Sequence, residues 1–324
     1  MLASELPAWL ARSFAFVLGA TWGSFFNVAI YRWPREMSVV TPPSHCPACG
    51  APVPGWRNVP ILGYLLLRGK AACCGARMSP RYLFVELLSG VLAVAIAERF
   101  IVHAHRGAGL GEVGIEAVLW FAFAGGLVIA TFVDLEWMEI PDEVSIGGTA
   151  LALATATLRP TVPLDEVVLG AGGGFLAVHL LLVWSWERLT GERGMGEGDA
   201  KLMMFIGAFL GWRGAVFALV AGSFQGIVGY AIARSTGARI GPSADHGSED
   251  DVAKSGAREA PAVDATTESA PERDTDARSD AAAEEDEPEG KARKIPFGPF
   301  LALGAIEFLF FGNTIVDWYV SLFE

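Results

Sequence analysis

Eight stretches of this chain, each 13 to 25 residues long and holding no more than two charged residues, constrain its fold more than any other feature. They cover residues 13–30, 82–97, 117–133, 144–158, 167–184, 200–212, 216–233 and 296–320. A bilayer core about 30 Å thick takes about 20 apolar residues of helix, so most of these blocks are of spanning length. Lipid offers no partner to an unpaired backbone group, and helix satisfies each one within the segment. The expected fold is an all-α polytopic membrane protein of about eight transmembrane helices. A chain of 324 residues that is 52% hydrophobic, with mean hydropathy +0.40, is too apolar for a soluble domain of that length. No basic region precedes the first block and no small-residue cleavage site follows it, so no removable signal peptide is expected.

Basic loop residues set the expected orientation. Between the first two blocks lie Arg32, Arg35, Arg57, Arg68, Lys70, Arg77 and Arg81 against the single acid Glu36. That loop is read as cytoplasmic, which leaves the N-terminus outside. Alternation then puts the long 234–294 connection on the cytoplasmic side as well. Within it, residues 241–290 hold sixteen acids and four bases and no aromatic residue, which accounts for the whole net charge of −12. Such a composition is expected to stay disordered and solvated. With no basic excess left elsewhere, nucleic acid is not an expected partner; membrane lipid is.

Two aspartates carry the chemistry. Asp134 closes the third block and Asp199 sits in Gly196-Glu-Gly-Asp199, at the start of the sixth. An ionisable side chain at membrane depth is costly and normally faces protein or a water-filled cavity. The sixth block is only 13 residues, about 20 Å of helix. Either the bilayer thins there or Asp199 lies below the surface in a protein-lined cavity. Asp134 and Asp199 are therefore the candidate catalytic pair. A proton relay or cation site in a transporter or channel is the competing use of two such carboxylates. Other charges have plainer roles: Asp142 after Pro141 as a helix cap, and Glu136, Glu139 and Glu197 as solvated groups. Glu86, inside the second block, either pairs with Arg81 or lines a site. Lys201 either reaches the headgroups or tunes the pair.

All four cysteines fall between the first two blocks, as Cys46-Pro-Ala-Cys49 and Cys73-Cys74. Cytosolic disulfides are rare, and four thiolates round a zinc ion would staple a small domain that lacks a core. The first pair has knuckle spacing. The second does not, because two adjacent cysteines cannot form the same turn, and His45 could stand in for one ligand. Without a metal, the loop would be held by packing of Trp56, Ile61 and Tyr64.

Ordered motifs run the length of the chain: Gly23-Ser-Phe-Phe-Asn27 through Arg32-Trp-Pro34; Cys46-Pro-Ala-Cys49-Gly50; Asn58-Val-Pro-Ile61; Arg68-Gly-Lys70; Ser79-Pro-Arg-Tyr82 through Glu86; Asp134-Leu-Glu-Trp-Met-Glu-Ile-Pro141-Asp142; Gly196-Glu-Gly-Asp199-Ala-Lys201; and Ile295-Pro-Phe-Gly-Pro299. Together they resemble the bacterial type IV prepilin leader peptidase/N-methyltransferase family, membrane aspartic proteases with a GxGD motif. The resemblance covers all but residues 234–292. It departs from the family at one place: Cys74 fits the last cysteine of a second CxxC, but Ala71 stands where its first would be.

The resemblance implies a multi-pass enzyme of the bacterial cytoplasmic (inner) membrane working with a pilus or type II secretion machinery. Its substrates would be prepilins or pseudopilins, cut between a basic leader and an apolar helix at the cytoplasmic face. Asp134 and Asp199 would share one proton and activate water. S-adenosylmethionine would then methylate the new N-terminus, with residues 23–86 the expected location, and Zn2+ would sit on Cys46, Cys49, Cys73 and Cys74. The organisation expected is a first span (1–30), a cysteine loop domain (31–81), a membrane peptidase core (82–233), the acidic loop (234–294) and a last span (295–324).

Overall fold

The computed structural model describes residues 2–105, 107–191, 196–236 and 296–321. The acidic stretch 241–290 lies outside the described residues. Among those described there is no strand, and the chain is a helical bundle. Its elements are α1 (Ala8–Arg32), a short α2 (Leu62–Leu66), α3 (Arg81–Ala97), α4 (Leu110–Trp137), α5 (Asp142–Ala154), α6 (Leu164–Leu176), α7 (Ser185–Thr190), α8 (Glu197–Thr236) and α9 (Gly298–Ser321). Wider π-type turns over Ala177–Trp184 join α6 to α7 in one helical run.

Helices cover every one of the eight apolar blocks. Four runs are long and apolar enough to cross a membrane by length and composition: Ala8–Arg35, Leu110–Trp137, Leu164–Thr190 and Glu197–Thr236, with the shorter apolar Gly298–Gly312 beside them. The sixth and seventh blocks lie together in α8, whose one break, at Gly211 (φ 73°, ψ 179°), falls near the end of the sixth. Only glycine occupies that backbone region readily. The break falls two residues before the Arg213-Gly214 pair where hydropathy places it.

Glycine stripes set the helix spacing. On α6 and α8, a Cβ on Gly207 would lie 2.0 Å from the Gly170 carbonyl oxygen, and one on Gly170 would lie 2.2 Å from that of Gly207. Gly174 likewise faces the Met203 carbonyl. Small residues at such four-residue spacing let backbones touch, the usual source of cohesion where lipid removes the hydrophobic drive. Gly19 and Gly23 of α1 do the same against Ser89, Gly90 and Ala93 of α3. Between α4 and α8 the core is aromatic, with Phe123 4.7 Å from Phe209 and 5.2 Å from Phe205, ring centre to ring centre. Large apolar side chains such as Phe14, Val17, Phe224 and Ile227 point outward, as a lipid-facing surface requires.

One buried cation closes the short helices. Arg159 is fully buried and donates to the carbonyls of Ala152, near the end of α5, and of Ala208 and Phe209, just before the break in α8. Terminal helix carbonyls have no partner in their own helix. Arg159 supplies one for both ends and also sits 4.5 Å over the Phe209 ring. The 13-residue block can therefore stop within the bundle without stranding its backbone.

Candidate active site

Asp134 lies in the last turn of α4, which Met138 terminates in the left-handed conformation. Its side chain is buried, and Oδ2 accepts the backbone N–H of Gly298 at 2.9 Å. Gly298 opens α9, and the first N–H groups of a helix have no internal partner. The last helix thus spends one of its free donors on this carboxylate, with its positive dipole end turned the same way. Glycine gives the carboxylate its space there: a Cβ would sit 2.7 Å from Asp134 Oδ2 and push one of them aside.

Asp199 occupies the first turn of α8, buried like Asp134. Its carboxylate takes a hydrogen bond from the backbone N–H of Gly196 and lies within electrostatic range of Asp134. The two candidate residues, 65 positions apart in the chain, thus lie within electrostatic range of each other, one where α4 ends and the other where α8 begins. Gly198 allows the close fit, since a Cβ there would meet Ile140 at 3.3 Å.

The neighbouring charges settle into definite pairs. Asp142 makes no cap, because Pro141 holds the N-cap position without a side-chain hydrogen bond. Instead Asp142 Oδ1 meets Lys201 Nζ at 2.7 Å, tying the start of α5 to α8 one residue past the Asp199 turn. Glu86 does not pair with Arg81. Its Oε2 accepts the Ile61 N–H at 2.6 Å, and Ser24 also bonds it. Arg81 pairs with Glu136, which is therefore no simple solvated charge. Arg35 lies 4.7 Å over the Trp137 ring and 4.0 Å over Tyr31. These contacts fasten the foot of α1 and the start of α3 to the end of α4, two and three residues beyond Asp134.

The four cysteine sulfurs all lie within 4.8 Å of one another. Cys49 and Cys73 are 3.3 Å apart, and Cys46 and Cys74 are 3.8 Å apart. A tetrahedron of sulfurs about 2.3 Å from zinc has edges near 3.8 Å, so the set fits one zinc ion. Two turns of the same kind carry it. Gly50 bonds back to Cys46 and Gly75 to Ala71, and both glycines have positive φ. Ala71 therefore takes the place of a first ligand and Cys73, two residues on, supplies the missing sulfur. His45 bonds the Pro43 carbonyl and is not in the group. Burial pushes the Cys46 thiol up, but the backbone N–H groups of Cys49 and Ala48 outweigh it and bring it down to about 7. Hydrogen bonding to Cys49 and Cys46 pushes Cys73 up to about 12. A thiol cluster so divided holds protons that a dication must displace.

Two family models match in tandem. The bacterial peptidase A24 N-terminal domain covers residues 17–100, holding the second half of α1, the cysteines and α3, and the type IV leader peptidase family covers residues 121–231, holding both aspartates. The prepilin leader peptidase/N-methyltransferase of Myxococcus xanthus is 32% identical over 334 aligned residues, spanning 96% of this chain and 94% of its own. The chain belongs to the type IV leader peptidase family. Proteins of the same name from Aeromonas salmonicida (28% identical, 99% of this chain, 97% of its own) and Neisseria gonorrhoeae (34% identical, 68% and 81%) also match. No solved structure matches the chain. Family membership read from the motifs is thereby confirmed.

Gly298 and Arg159 are the residues that sequence reasoning did not single out. Gly298 had a signal, its place in Ile295-Pro-Phe-Gly-Pro299, but nothing in that string named its partner. Arg159 lies just before Pro160, between two apolar blocks, and reads as a loop residue.

Proposed function

We propose that the chain is a membrane aspartic endopeptidase that removes the leader from type IV prepilins or pseudopilins and then N-methylates the product. The observation that carries it is a buried carboxylate at the end of α4, Asp134, and another at the start of α8, Asp199, within electrostatic range of each other. One carboxylate takes a proton from water as its oxygen attacks the scissile carbonyl carbon. The other, protonated, hydrogen-bonds the carbonyl oxygen as it gains charge. When the C–N bond breaks, its electron pair stays with nitrogen, which takes a proton from the pair. The products are a leader carboxylate and a free amine, with no covalent enzyme intermediate. Gly196 and Gly198 let an extended substrate backbone approach Asp199.

The basic loop supports a bacterial inner-membrane protein with its N-terminus outside, eight crossings and the dyad near the cytoplasmic face. The five-part organisation from first span to last span follows the same reading. Cys46, Cys49, Cys73 and Cys74 would hold a structural Zn2+, closing a domain with little core of its own. When bound, S-adenosylmethionine would supply a sulfonium methyl group for the new amino terminus.

The test is incubation of the purified chain, reconstituted in lipid, with a prepilin and S-adenosylmethionine, followed by mass measurement of the pilin. Loss of the leader mass with gain of one methyl is expected. An unchanged pilin mass, with Asp-dependent ion flux in the same vesicles, would replace the hydrolase by the transporter reading.

A further inference from the structure

The short helix α2 carries its apolar face outward. Leu62, Leu65 and Leu66 stand at positions i, i+3 and i+4, on one face, and are 56%, 54% and 80% exposed. Val59, just before the helix, is exposed as well. The other side is spent within the cysteine loop, where the Tyr64 hydroxyl donates to the Met78 carbonyl and stands against Gly69. A helix lying in water shows the reverse pattern, with its leucines turned inward. Three leucines on one face of a five-residue helix are an unpartnered surface.

The depth of α2 says what covers that face. Its N-cap residue, Ile61, donates its backbone N–H to Glu86 Oε2 at 2.6 Å. Glu86 lies five residues past the start of α3, about 7.5 Å into that apolar helix. Helical side chains lean toward their own N-terminus, so this bond stands level with the first turns of α3. A Cβ on Gly23 would lie 2.8 Å from the Glu86 Cα, which sets Glu86 beside Gly23, inside the spanning run Ala8–Arg35. On the same stretch of α3, Phe84 and Leu87 are exposed and belong to the lipid-facing surface. Ile61 holds φ 63° and ψ −55°, a region that β-branched residues leave unless their surroundings enforce it. Glu86 is the enforcing group, so the bundle itself fixes where α2 begins. Directly after α2, Arg68 and Lys70 are exposed, and Glu36 is the single acid among residues 31–81.

We propose that α2 is an in-plane membrane anchor: Leu62, Leu65 and Leu66 enter the leaflet where headgroups meet acyl chains, and Arg68 and Lys70 meet the headgroup phosphates. An apolar face with bases at its edge, set shallowly in the bilayer, is the pattern of interfacial helices. Long basic side chains reach the headgroups from such a depth. The cysteine loop is thus tied twice, to α3 through Glu86 and to lipid through the leucines. Both ties keep it against the membrane beside the start of α3, where Arg81 pairs with Glu136, two residues from Asp134. The anchor depends on neither zinc nor methylation.

The test places a fluorescent amino acid at position 66 of the full chain, in bilayers whose lipids carry bromine, a contact quencher, either near the headgroup or at the acyl-chain end. Parallel probes stand at Val91, on the exposed face of α3, and at Ala48, exposed on the first cysteine turn. The expected result at 66 is loss of most of the fluorescence with bromine near the headgroup and little loss with bromine at the chain end. Position 91 should be quenched by the deep bromine and position 48 by neither. Leu62→Glu combined with Leu65→Glu should abolish the loss at 66, since carboxylates resist the acyl boundary, while unchanged quenching at 91 shows that the bundle still spans. If the signal at 91 changes too, the profile of the chain without these substitutions decides. Absence of lipid quenching at 66 overturns the anchor, as does quenching that survives the double substitution. Shielding of 66 from a water-soluble quencher without lipid quenching also overturns it and gives the face to a protein: a second copy if the shielding falls on dilution into more lipid, a substrate helix if it needs added prepilin.

Discussion

Replacing Gly298 by alanine is the most searching small change to the proposed site. The new Cβ would stand 2.7 Å from Asp134 Oδ2, where an ordinary contact is about 3.4 Å, so the carboxylate or the head of α9 must yield by about 0.7 Å. That movement also stretches the 2.9 Å hydrogen bond from the Gly298 N–H. A hydrogen bond to a charged group contributes about 1.5–3 kcal/mol, and a misplacement of about 1 Å at a reacting group costs about a hundredfold in rate. Both routes lead to a fall in leader cleavage of about 10- to 100-fold. Gly298 is not at positive φ, so the substitution does not strain the backbone, and insertion into the membrane should be normal. The assay is steady-state cleavage of a prepilin by the reconstituted chain. Gly173→Ala, whose Cβ meets nothing within 4 Å, serves as the matched helix control. A Gly298→Ala enzyme as fast as that control would show that the hold of α9 on Asp134 has no part in catalysis.

Gly207→Val should prevent stable folding, since its side chain would collide with the Gly170 backbone, whereas Gly172→Ala, which faces open space, should leave thermal stability unchanged. Arg159→Met should lower stability by about 2–5 kcal/mol in detergent unfolding, because carbonyls of two helix ends lose their partner inside the bundle. Cys49→Ser should cost most of the bound zinc in a metal assay, and lowering the pH should release metal from the wild type as protons return to the thiolates. Lys201→Met should cost no more than about 1 kcal/mol of stability, as expected of a partly exposed pair.

The helices were legible in the sequence because lipid demands long apolar runs, and the apolar runs lie in helices, four of them long enough to cross a membrane, the sixth and seventh runs sharing α8. The aspartates were legible for the same reason: a charge at the edge of such a run stands out. What hydropathy could not supply was pairing across the bundle. The bond from Gly298 to Asp134 joins residues 164 apart, and no local pattern encodes it. Asp142 was read as a helix cap from its place after Pro141, and lost that role to Lys201, 59 residues away. Arg159 reads as a loop residue until two truncated helices turn their carbonyls toward it. The cysteine set fell between these cases. Its members were plain from composition, but adjacency argued against a shared site, and only the folded turns show Cys73 reaching the position that Ala71 leaves empty.

The central claim is that Asp134 and Asp199 act as one proton-sharing pair. Single-turnover cleavage of a prepilin by Asp134→Asn and by Asp199→Asn measures it most directly, with zinc content confirming the fold of each variant. The account predicts a loss of about a thousandfold or more in both, and no further loss when the two changes are combined. Cleavage at the wild-type rate by either variant would contradict it.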